Sequence, residues 1–342
     1  MDLRELEPYF WRAPSAHNTQ PWVLRYRVNG VEVGWDAGRA LPHGDPTGRD
    51  LRLSLGAFAE CCLVVCAGAG HAVMFWPDYS AAARRVGYLV PATSAYPTPF
   101  GIQDVTSRKT SRVAYQPGPL DEAAVTGLRD LAEKAGAQVC LVPCRELAGL
   151  LNRADRYGFA NSAAVAELRS WLRLTPRHPC YRQDGLTGKA LALSRPQATG
   201  LRTALALYPA LRRLGLPAAL AAASHGLLDY DGQVVVLVAP PVNGPASQVA
   251  MGRVLMRQWL LLSKAGYATH PLSQLIDCPG TRGTLAGRLG VSDPARLVSV
   301  YRAGRPTGHT ERSARLAETA APGASPALAG HLGLEQVLDL GR

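Results

Sequence analysis

The sequence predicts an α+β chain with a three-layer α/β arrangement, built from two unequal copies of one αβ unit. Three observations carry this. Two alternating segments, Val23–Val28 and Val31–Trp35, flank Asn29-Gly30, the strongest short-range signal for a β-hairpin. Gln233-Val-Val-Val-Leu-Val-Ala239 reads as a buried strand. Two long apolar helical stretches are each bounded by glycines, Gly56 and Gly70 in one, Gly252 and Gly266 in the other. The offset between them is 196 residues at both glycines, and each stretch is followed by His or an aromatic residue and then Ala. In each, a small first residue permits close helix packing and the last glycine suits a helix C-cap. Together they point to an internal duplication.

Taken in order, residues 2–11 have Asp2 at an N-cap position and Leu3, Leu6 and Phe10 at helical spacing. Arg12-Ala-Pro-Ser-Ala-His-Asn-Thr-Gln-Pro-Trp22 holds two prolines, and the residue before each is driven to extended backbone, so an ordered non-helical loop is expected. Its bland reading is an Asx-type turn leading into a strand. The hairpin, a Gly/Pro/Asp-rich loop over 36–48, a helix over 49–69 and strands over 72–76 and 86–90 complete the first half, residues 1–100. A linker over 91–106 leads into the second half, residues 101–320. This half has a helix from Asp121 to Lys134, a strand over 138–142 and helices over 145–158 and 161–172. Residues 176–226 have no counterpart in the first half and read as a helical insertion, either a packing arm or a lid. The strand at 233–239, a long helix starting at Ser247, a turn over 269–274, a short helix over 283–289 and a strand over 296–302 follow. The Ala/Gly/Pro-rich tail, 321–342, is expected outside the core.

The 342 residues suffice for two ordinary domains, and 47% hydrophobic with 18% charged residues is a globular composition. The formal charge of +11 raises nucleic acid as a partner. The arginines are scattered and lack aromatic interleaving, which argues against it. The polar start Met1-Asp-Leu-Arg-Glu-Leu-Glu7 is no signal peptide, and the apolar runs near 218–223 and 255–262 are shorter than a membrane span. A cytoplasmic chain with no membrane partner is expected. The seven cysteines lack zinc or CxxC spacing, and Cys61, Cys62 and Cys66 read as buried thiols. No metal triad, no Ser/His/Asp set and no Gly-x-Gly-x-x-Gly is present.

Ala13-Pro-Ser-Ala-His-Asn-Thr-Gln-Pro-Trp22 resembles the Ala-Pro-Ser-x-x-Asn-x-Gln-Pro-Trp signature of the nitroreductase superfamily. Arg108-Lys-Thr-Ser-Arg112 is similar to that family's phosphate-binding Arg-x-Ser-x-Arg/Lys segment. Gly252–Leu272 resembles its long helix and Gly-x-x-x-x-Pro-Leu turn, and Thr310–Arg315 its basic C-terminal segment. The Pro-Trp loop precedes the arginine segment here, the reverse of the ordinary order. That resembles the fused, Acg-type branch, in which one chain holds two nitroreductase-like halves.

The resemblance implies an FMN enzyme with one composite site, each half having kept one part of it. Arg108, Thr110 and Arg112 would take the phosphate, closed by Arg312 and Arg315, with Arg302 or Arg305 as alternatives to that last pair. Pro14, Ser15 and Ala16 through backbone, and Asn18 and Gln20 through their amides, would meet the ring system. Pro271, Leu272, Ser273 and Gln274 would pass near flavin N5; Ser273-Gln274 departs from the Glu-Gly common there. The insertion 176–226 would be the lid. His17 and His270 read as structural. No side-chain acid or base is required, because the cofactor carries the hydride chemistry. The implied activity is hydride transfer between a reductant, NAD(P)H among the candidates, and a small-molecule substrate or electron acceptor. Two other functions stay open: flavin sequestration under a closed lid, and a flavin dehydrogenase tailoring a natural product. The chain would be a monomer mimicking a dimer, or a homodimer.

Overall fold

The computed structural model describes residues 1–316; the expected tail over 321–342 lies outside them. Two antiparallel four-stranded sheets share one topology. In the first, β1 (Trp22–Arg27), β2 (Gly30–Trp35), β3 (Val73–Ser80) and β4 (Arg85–Pro91) lie in the order β1-β2-β4-β3, with helix α1 (Arg49–Gly68) joining β2 to β3. The chain continues through α2 (Ile102–Ser107) and α3 (Glu122–Glu133) to the second sheet. There β5 (Gln138–Pro143), β6 (Gln233–Val238), β7 (Ala268–Pro271) and β8 (Leu297–Gly304) lie in the order β5-β6-β8-β7, with α8 (Pro245–Lys264) joining β6 to β7. The second sheet has the short helices Gln274–Asp277 and Pro279–Arg288 between strands three and four, where the first has a turn, and the larger difference lies between strands one and two. The first sheet has a hairpin there. The second has α4 (Cys144–Ala160), α5 (Ser162–Ser170), α6 (Arg195–Leu211) and α7 (Leu216–Ala222).

The helices α1 and α8 cross at the centre of the molecule, and the glycines flagged by the sequence mark the crossing. A Cβ on Gly56 would stand 1.9 Å from the Val249 carbonyl oxygen, and one on Gly252 would stand 2.2 Å from that of Leu53. The contact is reciprocal, as across a two-fold axis, and Arg52 Nε donates to Gln248 Oε1 at 2.7 Å across the same 196-residue offset. Both helices end alike. Gly70 at φ +79° and Gly266 at φ +80° adopt the left-handed conformation that closes a helix, and His71 and Tyr267 donate their amides to Cys66 and Leu262. Phe58 stacks on Trp22 at 4.6 Å, so the helix packs directly onto the strand that follows the Pro-Trp loop.

Several expectations need correction. The hairpin turn is Val28-Asn29, and Gly30 already pairs with Arg27 in the ladder. Residues 2–11 form a 3-10 turn at Arg4–Leu6 and one α turn, Glu7–Phe10, rather than one helix. The linker contains α2, whose N-terminal amide at Gly101 donates to Asp104. Helix α8 starts at Pro245, two residues before Ser247, because proline fits the first turn of a helix. The first half of the turn expected over 269–274 belongs to strand β7. Pro209 lies inside α6. Helix α1 is by length and composition apolar enough to cross a membrane, contrary to the expectation that no stretch is, but most of it is buried in the core.

Candidate functional site

The Pro-Trp loop holds an unusual backbone. His17, Asn18 and Gln20 all have positive φ, at 48°, 56° and 51°. Asparagine tolerates that region; histidine and glutamine do so at a cost, and such strain persists only where surroundings over-determine it. Here Ser15 Oγ accepts from the Gln20 amide at 2.9 Å. The side chains beyond are fully engaged. Asn18 Nδ2 donates to the carbonyls of Gly185 and Ala314, and Asn18 Oδ1 accepts from Arg315 Nη1 at 2.9 Å. Gln20 Nε2 donates to Gln183 O at 2.9 Å, and Gln20 Oε1 accepts from the Leu316 amide at 3.0 Å.

A cavity of about 470 Å³ opens beside this loop. That lies in the range of small-molecule and cofactor sites. The loop supplies Pro14, Ser15, Ala16 and His17 to its wall, and α1 supplies Leu53, Ser54 and Ala57. From the other half come Thr110, Arg112, Trp259 of α8, and the turn Pro271, Ser273 and Gln274. The roof is made by the end of α4 and by α5, notably Tyr157, Phe159 and Val165, while Leu186 and Leu191 are the part of 176–226 that reaches it. The residues covering the cavity therefore begin about twenty residues before the insertion expected over 176–226.

One side of the cavity is cationic. Arg112 lines it, donates Nη1 to Ala190 O at 2.9 Å, and has no carboxylate within ion-pair distance among the described residues. Burial, helped by the nearby Arg302 charge and partly opposed by Tyr115, pushes its guanidinium down to about 10. A guanidinium in this state gains from an anion that accepts its planar fork. Burial and then Arg112 lower His17 to about 4, and burial with Arg112 and Arg302 holds His270 well below its usual value. Both imidazoles are neutral at pH 7. His270 Nδ1 accepts from Arg302 Nε at 3.1 Å, which leaves the proton on Nε2.

The other side is acidic. Asp50 and Asp277 share Arg49, each 2.7 Å from its Nη2. Burial and the neighbouring Asp50 raise Asp277 to about 7 despite Arg49. Asp155, also on the wall, is raised by burial, with hydrogen bonds from Ser224 and Gln274 opposing. Sequence reasoning missed these three aspartates. Each sits in an ordinary amphipathic or cap-like context, and nothing local marks it as facing a cavity.

Of the residues singled out from sequence, the cavity brings together Pro14, Ser15, Ala16, Thr110, Arg112, Pro271, Ser273 and Gln274. Leu272 stands behind them, fully buried, its amide donated to Val300 O at 2.8 Å. Ser273 and Gln274 open a helical turn, where first-turn amides lack intrahelical acceptors. Asn18, Gln20, Arg108 and Arg315 are buried off the cavity wall, and Arg312 is exposed. Arg108 and Arg315 both donate to Arg12 O, so they buttress the loop from behind. Arg108 Nε and Nη1 are buried with no partner among the described residues, and its guanidinium lies 5.7 Å from the ring centre of Trp259, which does line the cavity. Of the alternatives for the C-terminal pair, Arg302 is buried behind the cavity-lining His270, to which it donates, and Arg305 pairs with exposed Asp121.

No family model matches the chain. A probable NAD(P)H nitroreductase of a Serratia species, PigM, is 27% identical over 295 residues, 80% of each protein. A putative NAD(P)H nitroreductase of Mycobacterium tuberculosis is 42% identical over 59 residues, 17% of each protein. Among solved structures, a nitroreductase with bound FMN from Bacteroides fragilis aligns with a TM-score of 0.38 at 13% identity, over 64% of this chain and 96% of that one.

Proposed function

We propose that this chain belongs to the nitroreductase superfamily and is an FMN-dependent oxidoreductase with one composite flavin site between two duplicated halves, 1–100 and 101–320. The observation that carries the reading is a cavity walled by both halves, with a guanidinium on its wall that has no carboxylate partner among the described residues. Both its size and its donor set fit a flavin mononucleotide. Arg112 would bind the phosphate, with Thr110 Oγ1 as a further donor. Arg108, whose Nε and Nη1 have no partner among the described residues, lies 5.7 Å from the ring centre of the cavity-lining Trp259 and would add positive charge behind it. The backbone of Pro14–Ala16 would border the ring system, and the amides of Ser273 and Gln274 would hydrogen-bond it from the opposite half.

Bound FMN supplies hydride transfer through its N5. The chain's own contribution is binding, orientation and water exclusion. The backbone amides at the 273–274 turn would donate to the ring system and favour negative charge there. Tyr157, Phe159, Leu186 and Leu191 cover the cavity with apolar surface and keep water from it. Asp277, raised to about 7, can hold or release a proton from its carboxyl near neutrality. The partners would be a small-molecule substrate or electron acceptor, with NAD(P)H as the candidate reductant.

The test is an FMN titration of purified protein followed by anaerobic addition of NADPH or NADH. Quenching of flavin fluorescence on binding, then bleaching of the flavin absorbance by the nucleotide, is the expected result. Binding without bleaching by either nucleotide would favour sequestration, or a dehydrogenase reduced by its own organic substrate. No binding at all would overturn the flavin reading.

A further inference from the structure

The strap over the cavity is held by residues that the family resemblance would assign to the flavin. Gln183, Gly185 and Ala190 lie on this strap, which flanks the two-residue strand Leu186–Thr187 paired in parallel with Leu172–Arg173. Gln20 Nε2 donates to Gln183 O, and Asn18 Nδ2 donates to Gly185 O, while the Gly185 amide donates back to Asn18 O at 3.2 Å. The same two side chains hold the C-terminal segment, through Ala314 O, Arg315 Nη1 and the Leu316 amide. An asparagine or glutamine side chain has two N–H donors and one carbonyl oxygen. Asn18 uses both donors and its oxygen on these segments. Gln20 uses one donor on the strap, a second weakly on Asn18 O at 3.4 Å, and its oxygen on Leu316. Nothing is left to read a ligand edge, and neither side chain lines the cavity.

We propose that Asn18 and Gln20 are positioning residues that clamp the 183–190 strap and the 314–316 segment over the cavity, setting how long a bound flavin is retained. The left-handed backbone at 17, 18 and 20 is what turns both amides away from the cavity and toward those segments. A second, independent latch secures the strap. Asp184 accepts from Arg173 at 2.8 and 3.0 Å and from Arg39 at 3.2 Å, and Arg39 also donates to Thr19 O at 2.7 Å. The strap therefore closes by contacts with the first half at three successive residues, 183 to 185. Only the retention part of this inference rests on the flavin reading; the clamping part does not.

The test has two arms. In flavin-free protein, limited trypsin cleavage at the exposed Arg177, Arg182 and Lys189 reports strap opening, because cleavage follows the population of locally opened states. Asn18→Ala and Gln20→Ala should each raise that cleavage about tenfold, the factor that corresponds to one buried hydrogen bond. Asp184→Asn, which leaves the Pro-Trp loop untouched, should do the same. In FMN-loaded protein, stopped-flow fluorescence should show flavin release accelerated by a similar factor in all three variants. The position of the flavin absorption band should not move, as it would if a direct amide contact had been lost. Wild-type strap cleavage in Gln20→Ala, or a shifted band with unchanged cleavage, would overturn the proposal. So would unchanged flavin release in Asp184→Asn despite faster cleavage. If Asn18→Ala does not fold, Gln20→Ala and Asp184→Asn carry both arms. If the wild type binds no FMN, the flavin reading fails and the cleavage arm still decides the clamp.

Discussion

Gly56 and Gly252 face each other where the two long helices cross: a Cβ on either would stand 2.9 Å from the other's Cα. Neither position has room for a side chain, because each also meets the backbone carbonyl one turn back on the opposite helix. Backbone cannot yield as a flexible side chain does, so overpacking here is of the costly kind. Gly56→Ala and Gly252→Ala should each destabilise the chain by about 3 kcal/mol, read as a lower urea midpoint with an unchanged slope. Because the two sites share one contact, the double variant should cost less than the sum of the singles. Full additivity would argue that the helices separate rather than shift.

How far this arrangement could be read in advance depended on where each signal was stored. Local signals survived. The 196-residue offset, the glycine C-caps and the alternating hairpin strands are written in short stretches of chain, and they located both sheets and both central helices. Arg112 and Thr110 line the cavity, in keeping with the family resemblance of their segment. What failed was everything defined by a partner far along the chain. Asn18 and Gln20 carry the right groups for a ligand, but their acceptors lie more than 160 residues away. The roof formed by α4 and α5 has an amphipathic pattern that packs equally well onto a core or over a cavity. Asp50, Asp155 and Asp277 come from three separate helices, and only folding brings them to one wall.

Arg112 invites a test that separates ligand affinity from stability. Its guanidinium lies on the cavity wall without a carboxylate among the described residues, so holding its charge there costs free energy in the empty protein. Arg112→Met keeps the apolar stem and removes the charge. FMN should bind roughly thirtyfold more weakly, in line with losing about 2 kcal/mol of charge-assisted hydrogen bonding. The melting temperature of the flavin-free protein should fall little or rise. Isothermal titration with FMN and thermal unfolding without it would read the two quantities. A large loss of stability with unchanged affinity would assign Arg112 to the strap through Ala190 rather than to the ligand.

His17 couples the loop to pH. Burial and Arg112 lower its folded value to about 4 from an ordinary 6.5. The folded state therefore favours the neutral ring, and the unfolded chain binds more protons between those limits. The stability contributed is present above pH 6.5 and is lost as pH falls toward 4. Asp277 and Asp45 oppose it. Their folded values are raised to about 7 and about 6, so their contribution is complete below the ordinary carboxylate range and lost as pH rises through those values. Comparing wild type with His17→Asn cancels most of that opposing effect, because both proteins keep the aspartates. Asparagine also tolerates φ +48° better than histidine. The variant's urea midpoint should be at or above wild type's at pH 7.5, and its advantage should grow at pH 5. An advantage that shrinks on acidification would place a charged imidazole in the folded loop.

The place related to the cavity by the 196-residue offset is filled, and this fixes an expected stoichiometry. Ala57 leaves room on the cavity wall; its counterpart is Arg253, and the counterpart of Met256 is Glu60. These two form an ion pair at 2.9 Å, with Arg257 at 3.4 Å and the Tyr96 hydroxyl at 2.7 Å on the same carboxylate. Glu60 is fully buried, and the Arg253 guanidinium lies over the Phe75 ring. A buried, fully paired carboxylate of this kind cannot be opened cheaply, since removing one partner strands the other charge. The chain should therefore bind one FMN, measured as the ratio of flavin absorbance to protein after gel filtration with excess cofactor. Glu60→Ala should lower stability by about 3–5 kcal/mol, the cost of stranding buried charge, without raising that ratio. A ratio near two in the wild type would mean that this network moves aside for a second ligand, and that the two halves still work as a symmetric pair.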